Sequence, residues 1–243
     1  MKKDHNLDDF SMIAQLSKPI QGEMELDKTL TPRIEIPWRE LIQQRGLALT
    51  TIDDMPMYLL KPEIKAIIQE ESKTEYRLAL ELLWNTGARI SELLALTPAS
   101  FTTLGGRKLH VILTTLKQRG RPKKQSLLRS KQRTVPILDP ILKQKISDYI
   151  QSRGIKRSET IFPFGRHILN IRLKKITANM DNAVYSVSCK TFRHSFAVHL
   201  VLHGCPLKYI SMLLGHSNVK TTEIYTRILT IDGSHFLEGI HFS

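Results

Sequence analysis

The stretch EYRLALELLWNTGARISELLALT, residues 75–97, constrains this chain more than any other. It is strongly helical and apolar on both sides of a single break, the tripeptide NTG. Gly87 in that break tolerates backbone conformations that other residues avoid, so the chain can turn sharply there. A second helix is predicted to start near Arg89. Arg89 thus stands at the head of a helix, beside a tight turn, at the edge of an apolar segment.

The flanking sequence extends this helical pattern. KPEIKAIIQEES carries Ile64, Ile67 and Ile68 at helical spacing. Further helices are predicted at PILKQKISDYIQSRG, at roughly residues 165 to 180, at FRHSFAVHLVLHG, at LKYISMLLGH and around Tyr225. The exception is KLHVILTTLK, where Leu109, Val111 and Leu113 alternate on one face, which is a strand pattern. RTVPIL reads as the returning strand, with a long basic loop between the two. The expected class is mainly α with a small antiparallel β-sheet. Residues 1–54 read as a short N-terminal arm, broken by Pro19, Pro32 and Pro37 and too polar to bury a core alone. A short helix is expected at PWRELIQQRG, opened by Pro37 and closed by Gly46. Residues 55–243 read as the main domain.

Charge narrows the function class. The chain has 36 Lys+Arg against 23 Asp+Glu, a formal net charge of +13. A protein this basic usually meets a polyanion, most often nucleic acid. The charge is concentrated: from Arg107 through Arg133 no acidic residue intervenes, and the next is Asp139. Arg119, Arg121, Lys123, Lys124, Arg129, Lys131 and Arg133 are read as DNA contacts within a solvated loop. Cys189 and Cys205 form no C-x-x-C pair, so neither a disulfide framework nor a zinc knuckle is expected. The N-terminus MKKDHNLDDF has no apolar signal region, and no run approaches the length of a membrane span. A cytoplasmic protein without membrane association is expected.

Two local patterns compete with a catalytic reading. His199 and His203 lie four apart, a spacing seen in metal sites, but HLVLH brings no Glu or Cys partner. LKYISMLLGHSNVKTTEIYTR has the form of a helix-turn-helix, whose second helix would enter a major groove while Tyr225 merely packs. Taken singly, Arg89 and Arg193 read as helix-surface arginines sooner than as phosphate clamps.

Taken together, the residues resemble a known set. TGARISELLAL supplies Arg89, TTLK supplies Lys117, and KTFRHSFAVHLVLHG supplies Lys190 and Arg193. LLGHS supplies His216, and nine residues later TTEIYTR supplies Tyr225. This order and spacing is similar to the tyrosine recombinase (phage integrase) family over roughly residues 55 to 230. The resemblance implies a catalytic domain of the DNA breaking-rejoining fold. It implies Tyr225 as the nucleophile that forms a 3′-phosphotyrosyl bond, and Arg89 and Arg193 as clamps on the non-bridging oxygens. His216 would hydrogen-bond the phosphate and Lys117 would protonate the leaving 5′-oxygen. Lys190 would contact the phosphate, with acceptance of the tyrosine proton as a further role, and Glu92 would orient Arg89 or Lys190. Such chemistry conserves bond energy and needs neither ATP, cofactor nor metal; no phosphate-binding Gly-Lys loop is present.

The chain departs from the family pattern in three places. Lysine stands at 190 where histidine is commoner, the basic loop after Lys117 is long, and only about 54 residues precede the catalytic segment. The last implies a reduced or absent core-binding domain. The implied partners are double-stranded DNA at a specific site, three further copies of the chain in a tetramer that passes through a Holliday junction, and accessory DNA-binding proteins. The apolar tail with Phe236, Leu237, Ile240 and Phe242 is expected to dock on a neighbouring subunit or to fold back on its own. Plasmid multimer resolution is the first expected role, DNA inversion the second and phage-type integration the third. A type IB topoisomerase and a non-catalytic helix-turn-helix regulator are the alternatives of other kinds.

Overall fold

The computed structural model describes residues 36–52, 54–104, 108–115, 132–178, 180, 186–233 and 236. Lys117, Arg119, Arg121, Lys123, Lys124, Arg129 and Lys131 lie outside the described residues, as do Leu237, Ile240 and Phe242 of the tail and most of the N-terminal arm.

The first described helix, α1 (Trp38–Thr51), buries Leu41, Arg45 and Ala48 along one stripe. It runs straight through Gly46, where the sequence predicts its end. A mid-helix glycine costs only about 1 kcal/mol. Here the buried stripe, the Trp38 ring stacked on His199, and an Arg45–Glu63 ion pair outweigh it. Helix α2 (Lys61–Glu70) follows, with Glu63 accepting from the Leu60 N–H at 2.9 Å and Ile64, Ile67 and Ile68 buried as their spacing predicts.

Helix α3 (Thr74–Thr86) ends at Gly87, which has φ 60°. A Cβ at that position would collide with the Phe196 ring, so glycine is required for space as well as for conformation. Arg89 caps α4 (Ile90–Leu94), and the Glu92 carboxylate accepts the Arg89 N–H at 2.8 Å.

The sheet is antiparallel in the order β1 (Phe101–Leu104), β2 (Lys108–Thr114), β3 (Gln132–Ile137). Leu109, Val111 and Leu113 face the core, as the alternation predicts. β1 is an addition to the sequence reading: FTTL is too short to show a period. Pro136 is tolerated because β3 is an edge strand.

Helix α5 (Pro140–Ser152) is capped by Asp139, which accepts from the Ile141 N–H at 2.9 Å. Then come α6 (Arg166–Ala178) and α7 (Cys189–Leu202). α7 is buried on nearly all sides, as expected of a central helix. Its Ser195 hydroxyl donates to the Thr191 carbonyl and accepts the Leu59 N–H, both at 2.8 Å. Helix α8 (Leu207–Leu214) turns at Gly215, φ 66°. The chain closes with α9 (Lys220–Glu223), a 3-10 turn (Ile224–Ile228) and α10 (Leu229–Asp232), which lies against α1. Among the described residues, no helix is long and apolar enough to cross a membrane.

Candidate active site

Two chain reversals meet at Arg193. Its side chain, on buried α7, donates to the carbonyl of Gly87 and to that of Leu214, each at 2.6 Å. These carbonyls end α3 and α8, where helix dipoles concentrate negative charge and the last C=O groups lack helical partners. The two glycine turns therefore build a socket for one guanidinium. Burial and the charges of Arg89 and Arg133 push its pKa down to about 9, so it remains cationic at neutral pH.

Glu92 arranges the neighbouring cations. Its carboxylate is fully buried and accepts from Arg89 Nη1 at 2.8 Å and from Arg133 at 2.8 and 2.6 Å. Burial alone would raise its pKa. The hydrogen bonds from Arg133 and from the Arg89 backbone, with the Arg133 charge, hold it at about 2 instead. Arg89 keeps about a third of its side chain exposed (34%), so one face of its guanidinium stays available.

Tyr225 lies in the 3-10 turn, 3% exposed, and its hydroxyl is 2.6 Å from His194 Nδ1. Burial raises the phenol pKa, opposed by the Arg193 and Arg89 charges. His216 follows the Gly215 turn and shares a 2.8 Å hydrogen bond between Nδ1 and the Thr222 hydroxyl. Burial and the charges of Arg193, Arg89 and Arg133 press its pKa down to about 4, so the ring is neutral at pH 7. A cationic cluster beside a buried phenol is a setting for an anionic, oxygen-centred reaction.

A model of the phage integrase family matches residues 58–230 of the chain. The chain belongs to that family, the tyrosine recombinases. It is 29% identical over 220 residues to a probable site-specific recombinase in the afa region of Escherichia coli, covering 88% of this chain and 87% of that one. It is 32% identical over 201 residues to a protein of Escherichia coli strain K12 named resolvase, covering 74% of each. Its fold matches the Tn1549 transposon integrase solved with transposon right end DNA, with a TM-score of 0.58 at 19% identity over 77% of this chain and 67% of that one. It also matches the XerH site-specific recombinase bound to difH substrate, with a TM-score of 0.56 at 20% identity over 71% of this chain and 51% of that one. Those two likenesses speak for the fold alone, and the chain spans about half of XerH.

This tyrosine recombinase thus brings together Arg89, Glu92, Arg193, His216 and Tyr225. Lys190 is exposed at the start of α7, one turn before His194, and its charge acts on that ring. Glu92 bonds Arg89, not Lys190. Arg133, grouped by sequence with the DNA-contacting run, turns inward instead. Its side chain is 8% exposed and also donates to the Leu213 carbonyl at 2.6 Å. Buried and paired with the Glu92 carboxylate, Arg133 is not presented to DNA as the sequence reading expects.

Tyr225 belongs to a 3-10 turn rather than to an α-helix, and α9 is only four residues long. No recognition helix of the helix-turn-helix kind projects here, and Tyr225 points inward. The His199 and His203 rings lie 4.2 Å apart at a steep tilt; His199 stacks on Trp38, and Trp38 also meets His203 and Trp84 meets His199 in tilted contacts. Burial presses the His199 pKa down to about 3. These rings form an aromatic seam holding α1 to α7.

The residue that sequence reasoning passed over is His194. It follows Arg193 directly in KTFRHSF and lies four after Lys190, one helical turn away. That spacing was the available signal. Its importance shows only when Tyr225 folds back onto it.

Proposed function

We propose that this tyrosine recombinase is site-specific, cutting and rejoining double-stranded DNA through a 3′-phosphotyrosyl bond to Tyr225. The observation that carries the reading is the burial of the Tyr225 hydroxyl within the electrostatic reach of Arg89 and Arg193. Arg89 and Arg193 clamp the non-bridging oxygens and stabilise the charge that develops on phosphorus. The neutral His216 ring adds a hydrogen bond, and Glu92 holds Arg89 in place. Lys117 protonates the leaving 5′-oxygen and Lys190 contacts the phosphate. Arg119, Arg121, Lys123, Lys124, Arg129 and Lys131 grip the backbone. The chain works in the cytoplasm as a tetramer across two sites, with accessory DNA-binding proteins as further partners. Similarity to proteins named resolvase supports plasmid multimer resolution.

Covalent capture tests the chemistry. The chain is incubated with end-labelled DNA from around its own gene, denatured in detergent and examined for a protein–DNA adduct. An adduct is expected with the native chain and none with Tyr225→Phe. An adduct that survives Tyr225→Phe refutes Tyr225 as nucleophile. The loop makes a separate prediction. Deleting residues 119–131 should flatten the plot of log K against log salt by about 0.9 for each phosphate contact removed. An unchanged slope rejects the loop as a DNA contact.

A further inference from the structure

The Tyr225 hydroxyl must lose a proton as it attacks phosphorus, and the phenol is 3% exposed, so bulk water does not reach it freely. Among the described residues its hydrogen-bond partner is His194 Nδ1, at 2.6 Å, with the two rings 5.7 Å apart between centroids. No hydrogen bond joins Lys190 to the phenol among the described residues. His194 Nε2 is buried and has no partner among those residues. A ring whose second nitrogen is unpartnered is not committed to another task, and its first nitrogen is already aligned with the reacting oxygen.

We propose that His194 Nδ1 accepts the Tyr225 proton during strand cleavage, an inference that rests on Tyr225 being the nucleophile. The Oη–P bond forms, the P–O5′ bond breaks, the phenol proton passes to Nδ1, and the departing 5′-oxygen takes a proton from Lys117. In rejoining, the 5′-hydroxyl attacks phosphorus and gives its proton back to Lys117, the P–Oη bond breaks, and the His194 imidazolium returns its proton to the leaving phenol oxygen. The groups that act on His194 are Lys190 and Arg193 of its own helix, with His216 and Tyr225 from beyond α8. Burial, then the charges of Lys190 and Arg193, press its pKa down to about 4, so it meets substrate neutral and able to accept. A phosphate anion arriving between Arg89 and Arg193 offsets those cations and makes the ring more basic as the proton must move.

Two measurements test this. The first uses the full chain without DNA. Nitrogen-15 NMR of the histidines should show His194 neutral at pH 7, with the proton on Nε2 and Nδ1 bare; a proton on Nδ1 overturns the inference. The second repeats covalent capture with His194→Asn and His194→Ala, on the labelled fragments cut by the native chain. Asn keeps an amide near the Nδ1 position but cannot take a proton. Cleavage should fall by about 10²- to 10⁴-fold in both variants with DNA binding unchanged. The residual rate should climb about tenfold per pH unit through neutrality, since the phenol must then ionise beforehand. Native rates, or a loss with the native pH profile, overturn the role of His194. An adduct in Tyr225→Phe overturns the nucleophile itself, whatever the His194 variants do. If no fragment is cut by any variant, the tautomer decides.

Discussion

Replacing Glu92 with Gln is expected to destabilise the fold by about 3–5 kcal/mol, the usual result of removing one partner from a buried ion pair. Arg133 has an 8% exposed side chain and would be left facing a neutral amide. Arg89 is more exposed and suffers less. The effect has a pH signature. Glu92 has its pKa depressed in the folded chain, from 4.5 to about 2. Its contribution is therefore fully present above the unfolded value near 4.5 and is lost as pH falls through about 2. A shift of that size corresponds to about 3 kcal/mol. Denaturant unfolding of both proteins should show a constant gap above pH 5 that narrows toward pH 2. A gap that does not change over that range would remove Glu92 as the electrostatic centre. Cleavage should fall as well, because Arg89 loses its fixed orientation.

The second large effect is expected from Gly87→Ala. The residue sits at φ 60°, where a Cβ costs about 1–2 kcal/mol. That Cβ would also overlap the Phe196 ring in a packed core, adding about 1–3 kcal/mol. A loss of about 2–5 kcal/mol should lower the melting temperature by about 2–4 °C per kcal/mol for a chain of this size. Stability is only half of the expectation. The Gly87 carbonyl holds Arg193 Nη1 at 2.6 Å, so a shifted turn also moves the buried Arg193 guanidinium. Gly154→Ala is the control: it too has a positive φ, but nothing lies within 4 Å of its added Cβ. It should show the backbone cost alone and retain cleavage. Equal losses in the two variants would show that the Phe196 contact is unimportant.

Most of the architecture is legible in local pattern. The apolar stripe of α2 is read from the 3.6-residue period, and the inward face of β2 from alternation. These signals are short-range, and burial of the marked face is what the tertiary structure does with them. The exceptions are instructive. β1 has too few residues to show a period. α1 passes through Gly46 because contacts from α2 and α7 outweigh a penalty that would end an isolated helix. The Tyr225 segment tightens into a 3-10 turn, which propensity does not distinguish from an α-helix at that length.

The amino-acid sequence by itself determined the order and spacing of Arg89, Lys117, Lys190, Arg193, His216 and Tyr225, and the two glycines that allow the turns around Arg193. Those features are local, so they can be read along one dimension. The tertiary structure alone decided the partners. Glu92 meets Arg133 across 41 residues, Tyr225 meets His194 across 31, and Arg193 meets the Gly87 carbonyl across 106. Each pairing depends on how separate elements dock, and no periodicity or cap signal records the docking. Arg133 shows the limit most directly. In the sequence it closes a run of basic residues and reads as one more DNA contact. The strand register turns it inward, and a buried carboxylate with a carbonyl beyond it holds the charge there.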